Sequence, residues 1–99
     1  MKKKLILQMG TYDGEVNKMD KPHGKGVYIF SAKARYEGMF KNGHIHGKGT
    51  FFYDNGDKHI GYFKDNFANG KGSRFLKNGK ILTGIWKDGE LIKWKNFRR

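Results

Sequence analysis

The sequence contains no cysteine and only one proline among its 99 residues. Without cysteine the chain has no disulfide framework, no thiolate nucleophile and no cysteine-ligated zinc. No apolar stretch approaches the roughly 20 residues of a membrane span, so we expect a soluble chain. Hydrophobic residues make up 36% of the sequence, which is too few for a thick core between two layers. The aromatic content of 15% is nevertheless too high for a disordered chain, so a thin β structure is expected.

Acidic residues are also scarce, with 9 Asp and Glu against 21 Lys and Arg, and the net charge is +12. Such a charge predicts attraction to an acidic partner, which is a nucleic acid, an anionic membrane or an acidic protein. The alternative is that the lysines keep a flat sheet soluble and blunt its edges. Charge alone leaves both interpretations open.

Glycine, by contrast, is abundant, and 14 of the 15 glycines recur at a nearly constant step of 23 positions. The three main sets are Gly14, Gly38, Gly61 and Gly84; Gly24, Gly47 and Gly70; and Gly26, Gly49 and Gly72. A fixed period of this length is the signature of a repeat array.

Residues 36–56 are the best copy of the repeat, and their alternation predicts two short strands. The first strand places Tyr36, Gly38 and Phe40 on one face. The second strand continues that face with Gly47, Gly49, Phe51 and Tyr53. Asn42-Gly43 and Asn55-Gly56 are turn dipeptides, because Asn and Gly tolerate positive φ. Each repeat is therefore an antiparallel hairpin, and stacked hairpins form one long twisted sheet.

Glycine inside a strand suggests that a neighbouring group needs the space. If Lys41 faces His46 across the hairpin, Phe40 lies opposite Gly47 and Gly38 lies opposite Gly49. Aromatic rings then lie over bare backbone, and this packing supplies the core of a single sheet. The other face carries a narrower apolar strip of Val27, Ile29, Phe52 and Phe75.

This template resembles the MORN repeat, a motif of about 23 residues with Tyr-x-Gly-x-Trp, then Gly, then His-Gly-x-Gly. The match is carried by Tyr36-Glu37-Gly38-Met39-Phe40, Gly43 and His46-Gly47-Lys48-Gly49, with Phe40 in the Trp position. The predicted fold is all-β, an elongated single-layer twisted antiparallel sheet of stacked hairpins in one domain, 1–99. Its parts are an N-terminal cap 1–11, repeats 12–35, 36–58 and 59–81, a partial repeat 82–91 and a C-terminal cap 92–99. The segment from Leu91 to Phe97 is expected to be a short helix or an irregular cover.

The resemblance implies a protein without catalytic activity of its own that binds a protein segment or a second copy of itself. Some MORN arrays are linked to phosphoinositide-containing membranes. No cofactor and no small-molecule substrate are expected. The predicted location is the cytoplasm, either free or at the periphery of a membrane.

The first candidate site is the aromatic face, because a single-layer sheet leaves part of its apolar surface open and such patches mark interaction sites. Its residues are Tyr36, Phe40, Phe51, Tyr53, Phe63 and Trp86. The alternative is that these rings are core. Val16 in the first repeat and Arg74 in the third interrupt the pattern, so the predicted site is centred on the second and third repeats.

The second candidate site is a ladder of lysines on the opposite face, which would bind an anionic phospholipid surface or, as the weaker choice, nucleic acid. Its residues are Lys25, Lys41, Lys48, Lys64, Lys71 and Lys87. The alternative is a solvated face that prevents edge pairing. Against nucleic acid, few of the basic residues are Arg, the side chain that best reads bases and phosphates.

Two chemical interpretations are rejected. His44, His46 and His59 invite a metal site, but no carboxylate pair joins them at ligand spacing and Asn69 takes the corresponding position in the next repeat. His-Gly-Lys-Gly is similar to a phosphate loop, yet its glycines recur on strands rather than before a helix. Neither serine lies in a nucleophile elbow, so no catalytic residue is predicted.

Overall fold

The computed structural model describes residues 1–94, which form nine β-strands and no helix. The strands are β1 (Lys2–Leu7), β2 (Gly10–Val16), β3 (Pro22–Ile29), β4 (Arg35–Lys41), β5 (His44–Phe52), β6 (Lys58–Lys64), β7 (Phe67–Phe75), β8 (Ile81–Lys87) and β9 (Glu90–Trp94). They pair in sequence order as one antiparallel meander. The molecule measures 49 × 24 × 17 Å, so the predicted elongated single-layer sheet is confirmed. No helix in the described residues is long and apolar enough to span a membrane.

The predicted hairpin between β4 and β5 is confirmed, and its turn depends on backbone angles that Asn and Gly tolerate. Asn42 and Gly43 have φ values of 47° and 91°. Positive φ at two successive residues produces a two-residue turn whose twist matches that of the flanking strands.

The pairing within this hairpin is partly as expected. Gly38 does lie opposite Gly49, but Lys41 pairs with His44 rather than His46. Phe40 consequently lies opposite Ile45 rather than Gly47.

The cause of this difference is a bulge in β5. Three residues, 46–48, lie opposite the single residue Met39. Gly47, with φ of 98°, provides the left-handed backbone that the bulge needs. The ring–glycine pairs form instead between repeats, where Phe40 lies opposite Gly24 and Phe63 opposite Gly47.

Six rings on the aromatic face make an edge-to-face series that we call the aromatic ladder. In order along the sheet, it consists of Tyr12, Phe40, Tyr36, Phe63, His59 and Trp86. Neighbouring ring centroids lie 4.6–5.4 Å apart at interplanar angles of 76–90°. The positive edge of one ring meets the negative face of the next, which contributes about 0.5–1.5 kcal/mol per pair beyond area burial.

Glycine provides the space for these rings, as the Tyr36 ring shows. A Cβ added at Gly49 would overlap the Tyr36 hydroxyl oxygen and ring. The ring therefore lies directly over the backbone of β5, and the core of the sheet is one ring deep.

The turns after β4, β6 and β8 lie along one side of the sheet, and each is hydrogen-bonded to the preceding repeat. We call this series of bonds the turn ladder. The Gly43 amide donates to the Pro22 carbonyl at 2.8 Å. The same bond recurs from Asn66 to Ile45 and from Gly89 to Ala68, both at 3.0 Å. Each repeat is thus tied to its neighbour outside the strand ladder.

Both ends of the sheet are strands. β1 covers β2 as the N-terminal edge. The expectation of a helix or irregular cover from Leu91 is wrong as far as Trp94, because Glu90–Trp94 pairs with β8 as β9. An antiparallel strand satisfies the backbone groups at the edge of β8, which a cover without strand pairing would leave open. Residues 95–97 of that segment lie outside the described residues.

Candidate binding surfaces

Four of the six aromatic residues predicted to form an open surface are buried. Tyr36 is 0% exposed, and Phe40, Phe63 and Trp86 are each 4% exposed. The expectation that these rings remain accessible to a partner is wrong. In the aromatic ladder each ring covers the edge or face of the next, so a single layer seals much of its own apolar surface.

The two remaining predicted residues, Phe51 and Tyr53, are half-buried and belong to a second series of rings. We call it the stacked column, and its members are Tyr28, Phe30, Phe51 and Tyr53. Successive ring centroids lie 4.5, 5.5 and 4.7 Å apart, with near-parallel planes. Unlike the ladder, the three rings from Phe30 onward keep part of their surface open to solvent.

Phe30 was missed by sequence reasoning, because it follows the last residue of β3. Its parity relative to Tyr28 was the available signal, since residues two apart in an extended chain share a face. In the structure the Phe30 ring stacks on the Tyr28 ring, with near-parallel planes and centroids 4.5 Å apart.

Arg74 continues the stacked column at the position where the third repeat lacks an aromatic residue. Its guanidinium lies 4.2 Å from the centre of the Tyr53 ring and 3.2 Å from the Asp57 carboxylate. The pKa of the Asp57 carboxyl is held below its usual value, chiefly by the hydrogen bond that it accepts from the Lys77 amide and to a smaller extent by Arg74. Because a guanidinium is planar, it replaces a ring in the stack and brings a charge with it.

A groove of about 350 Å³ runs beside the stacked column. Met9, from the turn before β2, lines one end, and Asn66, from the turn before β7, lines the other. Tyr28, Phe30, Phe40, Ile45 and Phe51 form most of the remaining lining. The groove therefore lies over the first and second repeats, whereas the sequence placed the aromatic site over the second and third. Tyr28 and Phe30, which extend the groove into the first repeat, were not among the predicted site residues.

A buried ring at one repeated position differs in its anchoring from repeat to repeat. Tyr12 and Tyr36 donate their hydroxyls to the carbonyls of Glu15 and Met39, at 2.6 and 3.0 Å. Burial raises the pKa of both tyrosines to about 12.

His59 takes this position in the third repeat, 1% exposed, and neither ring nitrogen has a hydrogen-bond partner in the described part of the chain. Burial, with a smaller contribution from the Arg74 charge, lowers the pKa of His59 to about 4. The imidazole is therefore neutral near pH 7 and serves as a core ring.

All six predicted lysines are exposed, and none takes part in an ion pair within residues 1–94. They form two rows. Lys25, Lys48 and Lys71 lie in mid-strand, opposite Met39, Tyr62 and Ile85 respectively. Lys41, Lys64 and Lys87 lie at strand ends, next to the turns.

The histidines do not come together as metal ligands. His59 is buried in the aromatic ladder, whereas His44 is exposed beside Asn66 at a turn. Within residues 1–94, no three His, Asp or Glu side chains form a group that could hold a metal ion.

Comparison with known proteins gives one informative result and one negative result. Comparison with curated proteins gives no match. The family model described as MORN repeat matches residues 12–34, 36–58 and 59–81, three consecutive segments that cover most of the chain. The nine strands form a meander of hairpins, and the glycines recur at the positions of the matched motif. The chain therefore belongs to the MORN repeat family.

Proposed function

We propose that this protein is a non-enzymatic binding module whose groove on the aromatic face receives an apolar segment of a partner protein. MORN repeats are generally binding or adaptor modules, and the repeat itself is non-catalytic. The observation that carries the finer proposal is the groove beside half-exposed, mutually stacked rings.

The stacked column suits this role because its rings are rigid and those of Phe30, Phe51 and Tyr53 are partly accessible. Each ring is fixed by its neighbours, so binding immobilises few additional side chains. Aromatic side chains that keep an open face are favoured at the centres of protein interfaces. A groove of about 350 Å³ falls at the lower end of the usual range for pockets, about 300–1,000 Å³. It therefore accommodates a few side chains of a peptide rather than a whole domain.

The test is a double substitution, Phe30→Ser with Phe51→Ser, because both residues line the groove without belonging to the aromatic ladder. The matched control is Ile29→Ser with Met39→Ser, which removes two exposed apolar residues, 46% and 40% exposed, from the other face. Peptides selected from a random display library on the wild-type protein are measured against all three proteins by calorimetry, after circular dichroism has shown that each is folded.

We expect the selected peptides to bind the wild type and the control equally and the groove variant at least about tenfold more weakly, which corresponds to about 1.4 kcal/mol. Equal affinity for a folded groove variant would contradict the proposal. Sedimentation velocity over a range of concentrations examines the other form of the proposal, in which the bound segment belongs to a second copy of the chain. A dimer that dissociates in the groove variant, and persists in the control, supports self-association.

Docking on a polyanion is the second candidate function, and one observation favours it. The six predicted lysines are all exposed and outside ion pairs in the described residues. An anionic phospholipid surface, with the protein at the periphery of a cytoplasmic membrane, is the preferred form, and nucleic acid is the weaker one. Liposome and oligonucleotide pulldown at about 50 and 200 mM salt tests it, because phosphate contacts weaken steeply over that range. Binding that is absent or insensitive to salt contradicts this candidate.

A further inference from the structure

The face opposite the aromatic ladder contains a second apolar surface, in the C-terminal half of the sheet. Ile60 and Tyr62 on β6 are 37% and 47% exposed, and Ile85 on β8 is half-buried between them and the C-terminal edge. They line a shallow groove together with Lys48, Lys71, Lys93 and the exposed Trp94 of β9. We call these seven residues the C-terminal lysine patch.

The register explains how the patch forms. Lys48 lies opposite Tyr62, and Lys71 lies opposite Ile85. Lys93 lies on the other side of Ile85. Tyr62 and Ile85 are therefore each bordered by a lysine on an adjacent strand, whereas Ile60 lies opposite Thr50 and Ser73. The lysine stems extend the apolar surface while their ammonium groups lie around it.

The charge of the patch contrasts with that of the N-terminal half of the same face. In the N-terminal half, Glu15 accepts a hydrogen bond from the Lys25 amide and Glu37 pairs with Arg35 at 2.6 Å. Asp13 also lies on β2, opposite Lys4. The groove at the C-terminal lysine patch has no carboxylate among its lining residues. Carboxylates thus lie among the basic residues at the N-terminal end of the face, whereas at the C-terminal end Glu90, opposite Lys87, lies outside the groove.

The chemistry of the patch selects among anionic partners. Successive bases would need rings on neighbouring strands to stack upon. The two rings that line the groove, Tyr62 and Trp94, lie three strands apart, on β6 and β9, with the aliphatic Ile85 on β8 between them. A bilayer binds an amphipathic surface by burying its apolar face some 5–10 Å into the headgroup and acyl boundary. Ile60, Tyr62 and Ile85 instead line a groove bordered by lysines, a concave surface that the side chains of a peptide fill more closely than a flat bilayer does.

We propose that the C-terminal lysine patch binds an acidic segment of a partner protein, whose apolar side chains enter the groove while its carboxylates contact Lys48, Lys71 and Lys93. An exposed apolar surface of this kind marks an interaction site, and the lysines define the charge of its occupant. This surface is separate from the groove on the aromatic face, so the two can be occupied independently.

The experiment uses a fluorescein-labelled peptide in which glutamates flank leucines, together with a matched peptide that has serine in place of each leucine. Binding is followed by fluorescence anisotropy. The variant is Lys71→Glu, and its matched control is Lys25→Glu, the equivalent position of the first repeat. Both lysines are exposed, and circular dichroism verifies that both variants fold.

We expect the leucine peptide to bind the wild type at least about tenfold more tightly than the serine peptide, since burial of one leucine contributes about 1.5–3 kcal/mol. Lys71→Glu should weaken binding of the leucine peptide about tenfold or more, and Lys25→Glu should change it by less than about threefold. Equal binding of the two peptides, or equal loss in the two variants, would overturn the proposal.

Two further arms separate the alternative occupants. Vesicles that contain phosphatidylserine and a single-stranded oligothymidylate are titrated into the same proteins. The proposal is overturned if either polyanion binds more tightly than the leucine peptide and loses that binding in Lys71→Glu. The proposal is supported if Lys25→Glu and Lys71→Glu weaken polyanion binding equally while the peptide remains specific for the patch. The polyanion then responds only to the net charge of the protein.

Discussion

In the second repeat, Tyr36 is fixed by a hydrogen bond from its hydroxyl, whereas His59, at the same position in the third repeat, is held by packing against Phe63 and Trp86. Both rings are at most 1% exposed, and both lie over a glycine of the next strand. The difference teaches that ring packing alone can fill this position. It also predicts that the two repeats respond differently to the same changes.

The largest expected effect comes from a methyl group placed beneath each ring. In Gly49→Ala the new Cβ overlaps the Tyr36 hydroxyl oxygen, so a hydrogen-bonded ring has to move; in Gly72→Ala it lies 2.6 Å from His59 Nε2. Overpacking of this kind costs about 1–3 kcal/mol. We expect Gly49→Ala to lower the free energy of unfolding by about 3 kcal/mol and Gly72→Ala by about 1 kcal/mol, measured by urea denaturation. Equal losses would remove the distinction between the repeats.

The next effect is a pH dependence that only the third repeat should show. The folded-state pKa of His59 is lowered to about 4, below the unfolded value of 6.5, so the unfolded chain takes up the proton first as the pH falls. Stability is therefore fully present above pH 6.5 and is lost as the pH falls towards 4. For this one group we expect a loss of about 2 kcal/mol between pH 7 and pH 5. Unfolding at a series of pH values measures it, and His59→Tyr, as control, should be less sensitive to pH over this range.

A smaller effect should have opposite signs in the two repeats. Tyr36→Phe removes the donor to the Met39 carbonyl and should lower the free energy of unfolding by about 1 kcal/mol. His59→Phe removes two buried nitrogens that have no partner within residues 1–94, and should raise it by about 1 kcal/mol. Thermal and urea unfolding of both variants provide the measurement. The same sign for both changes would mean that the hydroxyl does not anchor the second repeat.

The smallest effect concerns the two arginines that cover aromatic rings. Arg74 lies over Tyr53 with its side chain 24% exposed, and Arg35 lies over Phe52 with its side chain 42% exposed. Cation–π contacts contribute about 0.5–1 kcal/mol at exposed sites and more when desolvated. Arg74→Lys should therefore lower the free energy of unfolding by about 1 kcal/mol and Arg35→Lys by about half as much. A larger loss of unfolding free energy in Arg35→Lys than in Arg74→Lys would show that the more buried contact is not the stronger one.

The fold was predictable because it depends on local rules that repeat. The Asn42-Gly43 turn, the pairing of Gly38 with Gly49 and the placement of Lys25, Lys48 and Lys71 on an exposed face all follow from alternation and turn chemistry. The pairing near Phe40 did not follow, since simple alternation assumes one residue opposite one residue. The positive φ of Gly47 adds two residues to β5 and shifts every partner beyond it.

The candidate site was less predictable, because burial within a single layer depends on contacts between rings from different strands. Alternation placed Tyr36 and Phe63 on one face, but it could not show that the two rings meet edge to face at 5.2 Å. It also gave no indication that carboxylates lie outside the groove at Lys71, elsewhere along the face. These features arise from the assembled sheet rather than from any one repeat.

The turn ladder has a consequence for how such molecules change in size. Gly43, Asn66 and Gly89 each bond to the carbonyl of the residue that lies 21 positions earlier, with the same donor and acceptor groups each time. A duplicated block of about 23 residues could form the same amide-to-carbonyl bond with the repeat on either side of it. It would lengthen the sheet by two strands, or about 10 Å. Gene duplication can therefore adjust the reach of this scaffold in fixed increments, without the invention of a new joint.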